Sequence, residues 1–171
     1  MANADWPHGL WPLYTQHGGP WGVKELTKDS AQATAIFRGD LVAREADGKL
    51  APGGTPGATL YDGVSLDFGA ASTETQQLIV VDPLAIFEAQ DNGDGIDEVD
   101  EGLNVNFEFN AGSASTQVSG HELDGSTKNT TAILDAHIIG RLKIQNNDFG
   151  ANCRFEVQIN KHRRAFGVAG V

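Results

Sequence analysis

A run of carboxylates in the middle of the chain is the feature best suited to bind a ligand. Six acidic residues lie between Asp91 and Glu101, and the run begins Asp-Asn-Gly-Asp-Gly-Ile-Asp. Oxygen-bearing side chains interrupted by glycine are typical of calcium loops. Alignment with an EF-hand, however, places Gln90 at the first ligand position and shifts Ile96 by one position, and the flanks are typical of strand and loop rather than paired helices. We therefore predict a solvated acidic loop, with a calcium-regulated domain as an alternative.

Side chains that commonly act as nucleophiles or metal ligands are scattered along the chain. No histidine lies at metal-ligand spacing from another histidine or from the single cysteine. Cys153 falls on the apolar face of a predicted strand, as a small core residue would. Arg38-Gly39-Asp40 has the letters of an integrin-binding motif, but its apolar flanks favour a turn between strands. We therefore predict that the protein is not an enzyme and uses no metal and no cofactor. The histidines are His8, His17, His121, His137 and His162.

The large aromatic residues of the N-terminal segment are candidates for a contact surface. Residues 1–34 contain Trp6, Trp11, Tyr14 and Trp21, set among prolines and glycines that exclude a regular helix. Because no alternating pattern appears either, we predict an extended arm. Burying four such side chains yields roughly 20 kcal/mol, whereas ordering about 30 residues costs on the order of 30–60 kcal/mol. The arm therefore needs a surface, which belongs either to its own domain or to a neighbouring subunit.

Basic residues are concentrated towards the other end of the chain. Six of the 12 lysines and arginines lie between Arg141 and Arg164. Solvated loops at opposite ends of the molecule explain this uneven charge, and the alternative is a dipolar subunit whose ends meet complementary surfaces. The last basic cluster joins the four aromatics as a set of contact candidates: Lys161, His162, Arg163 and Arg164.

The middle of the chain contains the first clear strand signals. Leu78–Val81 is an apolar run typical of a strand buried on both faces. Asp82-Pro83 breaks that run, because proline has no N–H for the ladder and restricts the residue before it, and Ala85–Phe87 begins a second run. Asp47-Gly48 suits the two-residue loop of a hairpin. These signals predict short strands joined by tight turns.

Alternating patterns extend the β prediction to the C-terminal half. Apolar and polar residues alternate at 103–109 and again at 153–159, and the latter segment is expected to pair with residues 133–145 as a hairpin. No helical period longer than about ten residues appears. We therefore predict a mainly β fold, a small antiparallel β-sandwich or barrel in residues 35–171, preceded by the extended N-terminal arm of residues 1–34.

Composition and charge exclude several functional classes. The chain has 171 residues, 40% of them hydrophobic, and a formal net charge of −11. This is a globular composition with too little basic surface for non-specific binding to DNA or RNA. One cysteine rules out an internal disulfide, no run reaches the ~18 apolar residues of a membrane helix, and the N-terminus lacks a signal-peptide pattern. We predict a soluble protein made in the cytoplasm, with no nucleic-acid or membrane partner.

Taken together, these motifs resemble the decoration (cement) proteins of tailed-bacteriophage capsids. Residues 80–90 (VVDPLAIFEAQ) and 147–162 (NDFGANCRFEVQINKH) carry most of the resemblance. Gly39–Val42 after the aromatic segment, a Ser/Thr-rich middle and a small-residue tail at 167–171 add to it, so that the matches spread over most of residues 36–171. Similar proteins often have Asp-Asp before the proline, where this chain has Val-Asp, and a proline in the turn before the last strand, where this chain has Asn-Asn-Asp.

The resemblance implies a structural role without catalysis. Such a protein binds the outer surface of an assembled, expanded capsid, lies over junctions between major capsid proteins and helps the shell to resist internal DNA pressure. Similar proteins are commonly trimers and sometimes dimers, so the expected partners are the major capsid protein and further copies of the chain. The expected location is the virion surface, after synthesis in the cytoplasm of the host bacterium. The alternative is a virion-surface module that binds host or environmental glycans through residues 110–131.

Overall fold

The computed structural model describes residues 3–54 and 60–165. In these two ranges the chain forms eleven β-strands and one turn of 3₁₀ helix, Glu98–Asp100. In chain order the strands are β1 (Trp11–Thr15), β2 (Val23–Lys28), β3 (Leu41–Arg44), β4 (Leu50–Pro52), β5 (Gly63–Ser65), β6 (Thr75–Val80), β7 (Ala85–Gln90), β8 (Asn104–Glu108), β9 (Glu122–Asn129), β10 (Ala136–Arg141) and β11 (Arg154–Ile159).

The strands form two sheets, one open and one closed. The open sheet has six strands in the order β1-β7-β11-β10-β8-β9, and all its pairings are antiparallel. The other sheet is a five-stranded closed barrel, β2-β4-β3-β5-β6, in which β2 and β4 meet in parallel at Lys28 and Leu50. The prediction of a mainly β fold with antiparallel pairing and a barrel is confirmed.

Two apolar clusters follow from the alternation of side chains along the barrel strands. Val42, Ile79 and three further residues form a cluster supplied by the barrel and its connections. Leu41 and Val80 instead join a larger cluster with Phe87 and other residues of the open sheet. Because successive side chains of a strand point to opposite faces, neighbours such as Leu41 and Val42 belong to different clusters. The larger cluster packs the barrel against one face of the open sheet and leaves the opposite face of that sheet outside the core.

The extended N-terminal arm is not observed for residues 3–34. This segment contributes β1 to the edge of the open sheet, paired with β7, and β2 to the barrel, paired with β6. The local sequence does not reveal these strands, since their ladder partners are dozens of residues away. Pro12 is tolerated because an edge strand can leave one side of its ladder unpaired. The segment therefore folds back on its own chain, and contacts with another subunit stay a prediction.

Leu78–Gln90 connects the two sheets. β6 belongs to the barrel and β7 to the open sheet, so the predicted break between two strands at Asp82-Pro83 is confirmed, and the chain turns a corner there from one sheet to the other. The Asp82 carboxylate accepts the N–H of Leu84 at 2.9 Å and holds the turn. The prediction that this strand is buried on both faces is wrong at Leu78, which is 42% exposed opposite Glu25 on the outer wall of the barrel.

The remaining strand predictions are confirmed with changes in length. β3 and β4 form the hairpin predicted at Asp47-Gly48, and β10 pairs with β11. The loop of the first hairpin is longer than the predicted two residues, because Glu45 donates its N–H to the carbonyl of Lys49 at 2.9 Å. The strand predicted at 133–145 is shorter, and Ile133 and Ile144, which lie at or near its predicted ends, are exposed. Part of the segment 110–131 is the edge strand β9. The tail at 167–171 and most of the loop at 53–57 lie outside the described residues.

Candidate functional site

An irregularity in β1 brings two large aromatic side chains to the outer face of the open sheet. Trp11 lies opposite Glu88 and Tyr14 opposite Ile86, and the register shifts between Pro12 and Tyr14. In a regular strand, residues three apart would point to opposite faces. The bulge adds one residue and turns both rings away from the core, so Trp11 is 42% and Tyr14 39% exposed.

Trp6 lies beside these rings because β7 holds the main chain that precedes β1. The buried side chain of Gln90 accepts the N–H of Trp6 at 3.1 Å and donates to the carbonyl of Ala4 at 2.8 Å. The Arg154 guanidinium lies 5.7 Å from the centre of the Trp6 ring. The backbone is therefore fixed while the ring stays 65% exposed. We call the exposed surface formed by Trp6, Trp11 and Tyr14 the aromatic face.

The fourth predicted aromatic does not belong to this surface. Trp21 is partly buried and packs against the larger apolar cluster. The structure therefore brings together three of the four aromatic contact candidates and assigns Trp21 a packing role.

Charged groups fix the polar side of the aromatic face. The Glu88 Oε1 atom lies 3.2 Å from both His8 Nε2 and Arg154 Nη1. Burial alone would raise the pKa of Glu88, but these two partners outweigh it and lower the pKa. Burial alone would lower the pKa of His8. Its hydrogen bonds to Glu88 and to the carbonyl of Trp6 outweigh burial, so the pKa of His8 is raised.

The hydroxyl of Tyr14 is held in the same way. It donates to Glu156 Oε2 at 2.5 Å, and this hydrogen bond, followed by partial burial, raises the pKa of Tyr14 to about 12. Glu156 lies on β11 directly opposite Glu88 of β7. Like charges in that position are unfavourable, and here His8, Arg154 and Tyr14 compensate them. The aromatic face is thus an ordered arrangement of rings and ion pairs.

Two clefts flank the ring of Trp6. The larger, of about 300 Å³, is called here the tryptophan cleft. The smaller, of about 200 Å³, lies against the Ser/Thr-rich segment, including Ser113 and Thr116. Val118 contributes to both, so the Ser/Thr-rich segment adjoins the aromatic face. The tryptophan cleft is lined by Trp6, His8, Trp11, Arg38, Glu88, Val118 and Arg154.

Two of the C-terminal basic contact candidates neutralise buried carboxylates of their own chain. Arg163 Nε lies 3.0 Å from Asp62 Oδ2, and Arg44 approaches the other oxygen of the same carboxylate at 3.1 Å. Lys161 Nζ lies 3.6 Å from Asp135. The side chains of Asp62 and Asp135 are almost fully buried. Both bases therefore have internal partners that offset the cost of burying a charge.

His162 and Arg164 differ sharply in exposure. His162 is 1% exposed, its Nδ1 accepts the N–H of Arg164 at 3.1 Å, and burial lowers its pKa to about 4. Arg164 has an exposed side chain. Of the four basic candidates, Arg164 is the one whose geometry suits an external contact, and the contact role of the whole set stays a prediction.

Cys153 and Asp40 have the structural roles predicted for them. Cys153 is fully buried, and burial raises its pKa to about 11, which disfavours the reactive thiolate. Asp40 is 3% exposed and accepts the N–H of Phe37 at 2.8 Å, so Arg38-Gly39-Asp40 is a turn with an inaccessible carboxylate. His121 Nε2 lies 3.4 Å from Asp40 on the inner side of that turn.

The acidic loop is organised by its own first residue. Asp91 is buried, and its Oδ2 accepts the N–H groups of Gly93 and Gly95 at 3.2 and 2.9 Å. This is the geometry of a tight polar turn. Across residues 3–54 and 60–165, no three His, Cys, Asp or Glu side chains are grouped closely enough to hold a metal ion.

Sequence reasoning missed the charged members of the tryptophan cleft: His8, Arg38, Glu88 and Arg154. For Arg154 a signal existed, since it lies on the polar side of an alternating strand. In the sequence, Arg38 is part of the tripeptide Arg38-Gly39-Asp40, whose flanks indicate a turn. Nothing local in the sequence joins it to Trp11, whose ring centre lies 5.5 Å from the guanidinium carbon.

Comparison with known proteins gives no relative. No protein-family model, curated protein or solved structure matches this chain. No helix in the described part of the chain is long and apolar enough to cross a membrane.

Proposed function

We propose that the protein decorates the outer surface of a tailed-bacteriophage capsid and helps to cement neighbouring major capsid proteins. The observation that carries this proposal is the aromatic face. Three large rings are 39–65% exposed on one side of a sheet. Clustered exposed aromatics beside arginine are typical of protein interfaces. The sequence resemblance supplies the identity of the partner.

The arrangement suits a cement protein physically. Trp11 and Tyr14 lie on a strand, and a hydrogen bond to Gln90 fixes the backbone of Trp6, so little backbone entropy is lost when a partner covers the rings. A net charge of −11 makes crowded particles repel one another and so keeps them soluble. Because one oligomer would contact several capsid subunits at once, several modest contacts would add through avidity. A homo-oligomer, with a trimer favoured over a dimer, would use the same face for contacts with the capsid and with neighbouring copies.

Binding to capsids of the encoding phage that lack the protein tests this function. Replacing Trp6, Trp11 and Tyr14 together by alanine should weaken binding by roughly 30-fold or more, because truncating a central interface aromatic typically costs about 2 kcal/mol. Ile133→Ala is the matched control, since this exposed apolar residue lies outside the aromatic face. Bound protein is quantified after co-sedimentation and by particle occupancy in cryo-EM maps.

Point substitutions are better suited to this test than deletion of the N-terminal segment that carries the rings, residues 2–32. That deletion would remove β1 and β2, one strand from each sheet. Circular dichroism of the triple variant checks that the fold is intact. If a folded triple variant decorates capsids as well as the wild-type chain, the aromatic face is not the contact and the proposal fails.

A second candidate function is glycan binding. The Ser/Thr-rich segment predicted to form a binding loop lines the smaller cleft beside Trp6, where Ser113 and Thr116 would offer hydroxyl groups next to an indole ring. A sugar ring could stack on the indole and use these groups for hydrogen bonds. A glycan array, followed by titration of tryptophan fluorescence, tests this candidate. Trp6→Ala should abolish any signal, and Trp21→Phe should preserve it.

A further inference from the structure

One charged group in the tryptophan cleft has no partner of opposite charge in the described parts of the chain. The guanidinium of Arg38 is exposed and lies 5.5 Å from the centre of the Trp11 ring, without an ion pair. The other arginine of the cleft, Arg154, is paired with Glu88. Two arginines and one glutamate therefore line the cleft. It is a positively charged, indole-walled surface on a strongly acidic protein, and it suits a carboxylate next to an apolar side chain.

The same chain displays a segment with this complementary chemistry. Val99 is 86% exposed, the highest value among the large hydrophobic residues that the structure describes, and it lies in the 3₁₀ turn between Glu98 and Asp100. The Asp100 carboxylate already pairs with Lys128 at 2.7 Å. Glu98 is exposed, and its side chain makes no hydrogen bond or ion pair to another described residue. The tip of the turn thus offers one free carboxylate and one isopropyl group.

The cleft and the tip lie on different parts of one molecule. The strand residues of the cleft, Trp11, Glu88 and Arg154, lie on β1, β7 and β11, whereas the turn is attached to β10 and β9. Gly102, just after the turn, donates its N–H to Ile138 of β10 at 2.9 Å, and Lys128 is on β9. These strands lie in opposite halves of the open sheet, and neither Glu98 nor Val99 lines the cleft of its own chain. The two surfaces would therefore meet between two copies of the chain.

We propose that the tip formed by Glu98 and Val99 docks into the tryptophan cleft of a second copy. Val99 packs between Trp6 and Trp11, and the Glu98 carboxylate pairs with Arg38. Each copy presents one cleft and one tip, so the contact is head-to-tail. Repetition either closes a ring or extends a filament. The inference rests on the proposed function only because it uses part of the aromatic face. It assigns Trp6 and Trp11 to the contact with a neighbouring copy.

Charge reversal on the purified chain tests the contact without any capsid. Self-association is measured by analytical ultracentrifugation between about 1 and 100 µM. Arg38→Glu alone and Glu98→Arg alone should each weaken association by roughly tenfold or more, because each places like charges face to face. The double variant restores the opposite pairing and should recover most of the association. Added salt should weaken the wild-type oligomer.

Two exposed neighbours in β2 give matched controls. Lys24→Glu and Glu25→Arg make the same charge changes on the barrel and should leave association unchanged. Val99→Asp should disrupt association. Because Val99 is 86% exposed, this substitution should not unfold the chain, and unfolding would not account for the loss of association. A wild-type chain that stays monomeric throughout overturns the inference, as does association that survives both reversals or a double variant without recovery. Capsid binding is scored separately, so failure of the proposed function would appear as undecorated capsids whatever the oligomeric state.

Discussion

The ion pair between Arg163 and Asp62 gives a prediction that separates an internal role from an external one. Replacing Arg163 by glutamine removes the contact from Nε to Asp62 at 3.0 Å and the contact from Nη2 to the carbonyl of Arg44 at 3.3 Å. Arg44 alone then faces the Asp62 carboxylate, whose side chain is 2% exposed. A charge-assisted hydrogen bond contributes about 1.5–3 kcal/mol, so the free energy of unfolding should fall by roughly 2–3 kcal/mol.

Urea denaturation followed by tryptophan fluorescence measures this change. For a domain of this size the predicted loss corresponds to a decrease in Tm of about 4–12 °C. Arg164→Gln is the matched control, because the neighbouring arginine has an exposed side chain and its loss should alter stability by less than about 0.5 kcal/mol. A double-mutant cycle with Asp62→Asn should show a coupling energy of about 1 kcal/mol or more.

Equal stability of the two arginine variants would refute this reasoning. It would mean that Arg44 alone compensates the buried carboxylate, or that water reaches Asp62 freely. If Arg163→Gln instead left stability unchanged but reduced capsid binding, the basic cluster would be an external contact as the sequence predicts, and the internal assignment of Arg163 would be wrong.

Two further predictions concern buried groups. The pKa of His162 is about 4 in the folded state against 6.5 when unfolded. As the pH falls, the unfolded chain therefore binds this proton before the folded chain does. Stability that is present above pH 6.5 should accordingly be lost as the pH decreases towards 4. The loss should reach up to roughly 3 kcal/mol, and His162→Gln should flatten this part of a pH–stability profile. Gly125→Ala would place a Cβ 2.5 Å from Asp91 Oδ1 and should cost about 1–3 kcal/mol in urea denaturation. Gly22→Ala would place its Cβ 3.9 Å from the Cβ of Asp82, an ordinary van der Waals contact, and should be nearly neutral. An unchanged pH slope in the histidine variant, or equal midpoints for the two glycine variants, would contradict these assignments.

Elements that depend on neighbours in sequence are predictable without the structure. β8 and β11 are visible because their apolar and polar residues alternate, and the corner at Asp82-Pro83 is visible because proline cannot continue a ladder. The hairpin turn at Asp47-Gly48 follows from local backbone preferences. In each case the physical cause acts within a few residues.

Elements that depend on distant partners are not predictable in this way. β1 and β2 lack an alternating pattern and exist because β7 and β6 supply their hydrogen bonds. In the sequence Arg163 belongs to a basic cluster typical of a surface, and only the fold brings Asp62, 101 residues away, against it. The exposure of Leu78 likewise depends on which wall of the barrel it occupies.

For the aromatic segment, the sequence by itself determined that large rings concentrate near the N-terminus and that they need a surface, since their number and the cost of ordering the chain are properties of composition. It also determined the mainly β character of the domain. Only the tertiary structure decided that Trp6, Trp11 and Tyr14 share one face while Trp21 packs inside. The physical reason is that a bulge in β1 and the register with β7 set the direction of each side chain, and register is fixed by long-range pairing and by burial of the opposite face.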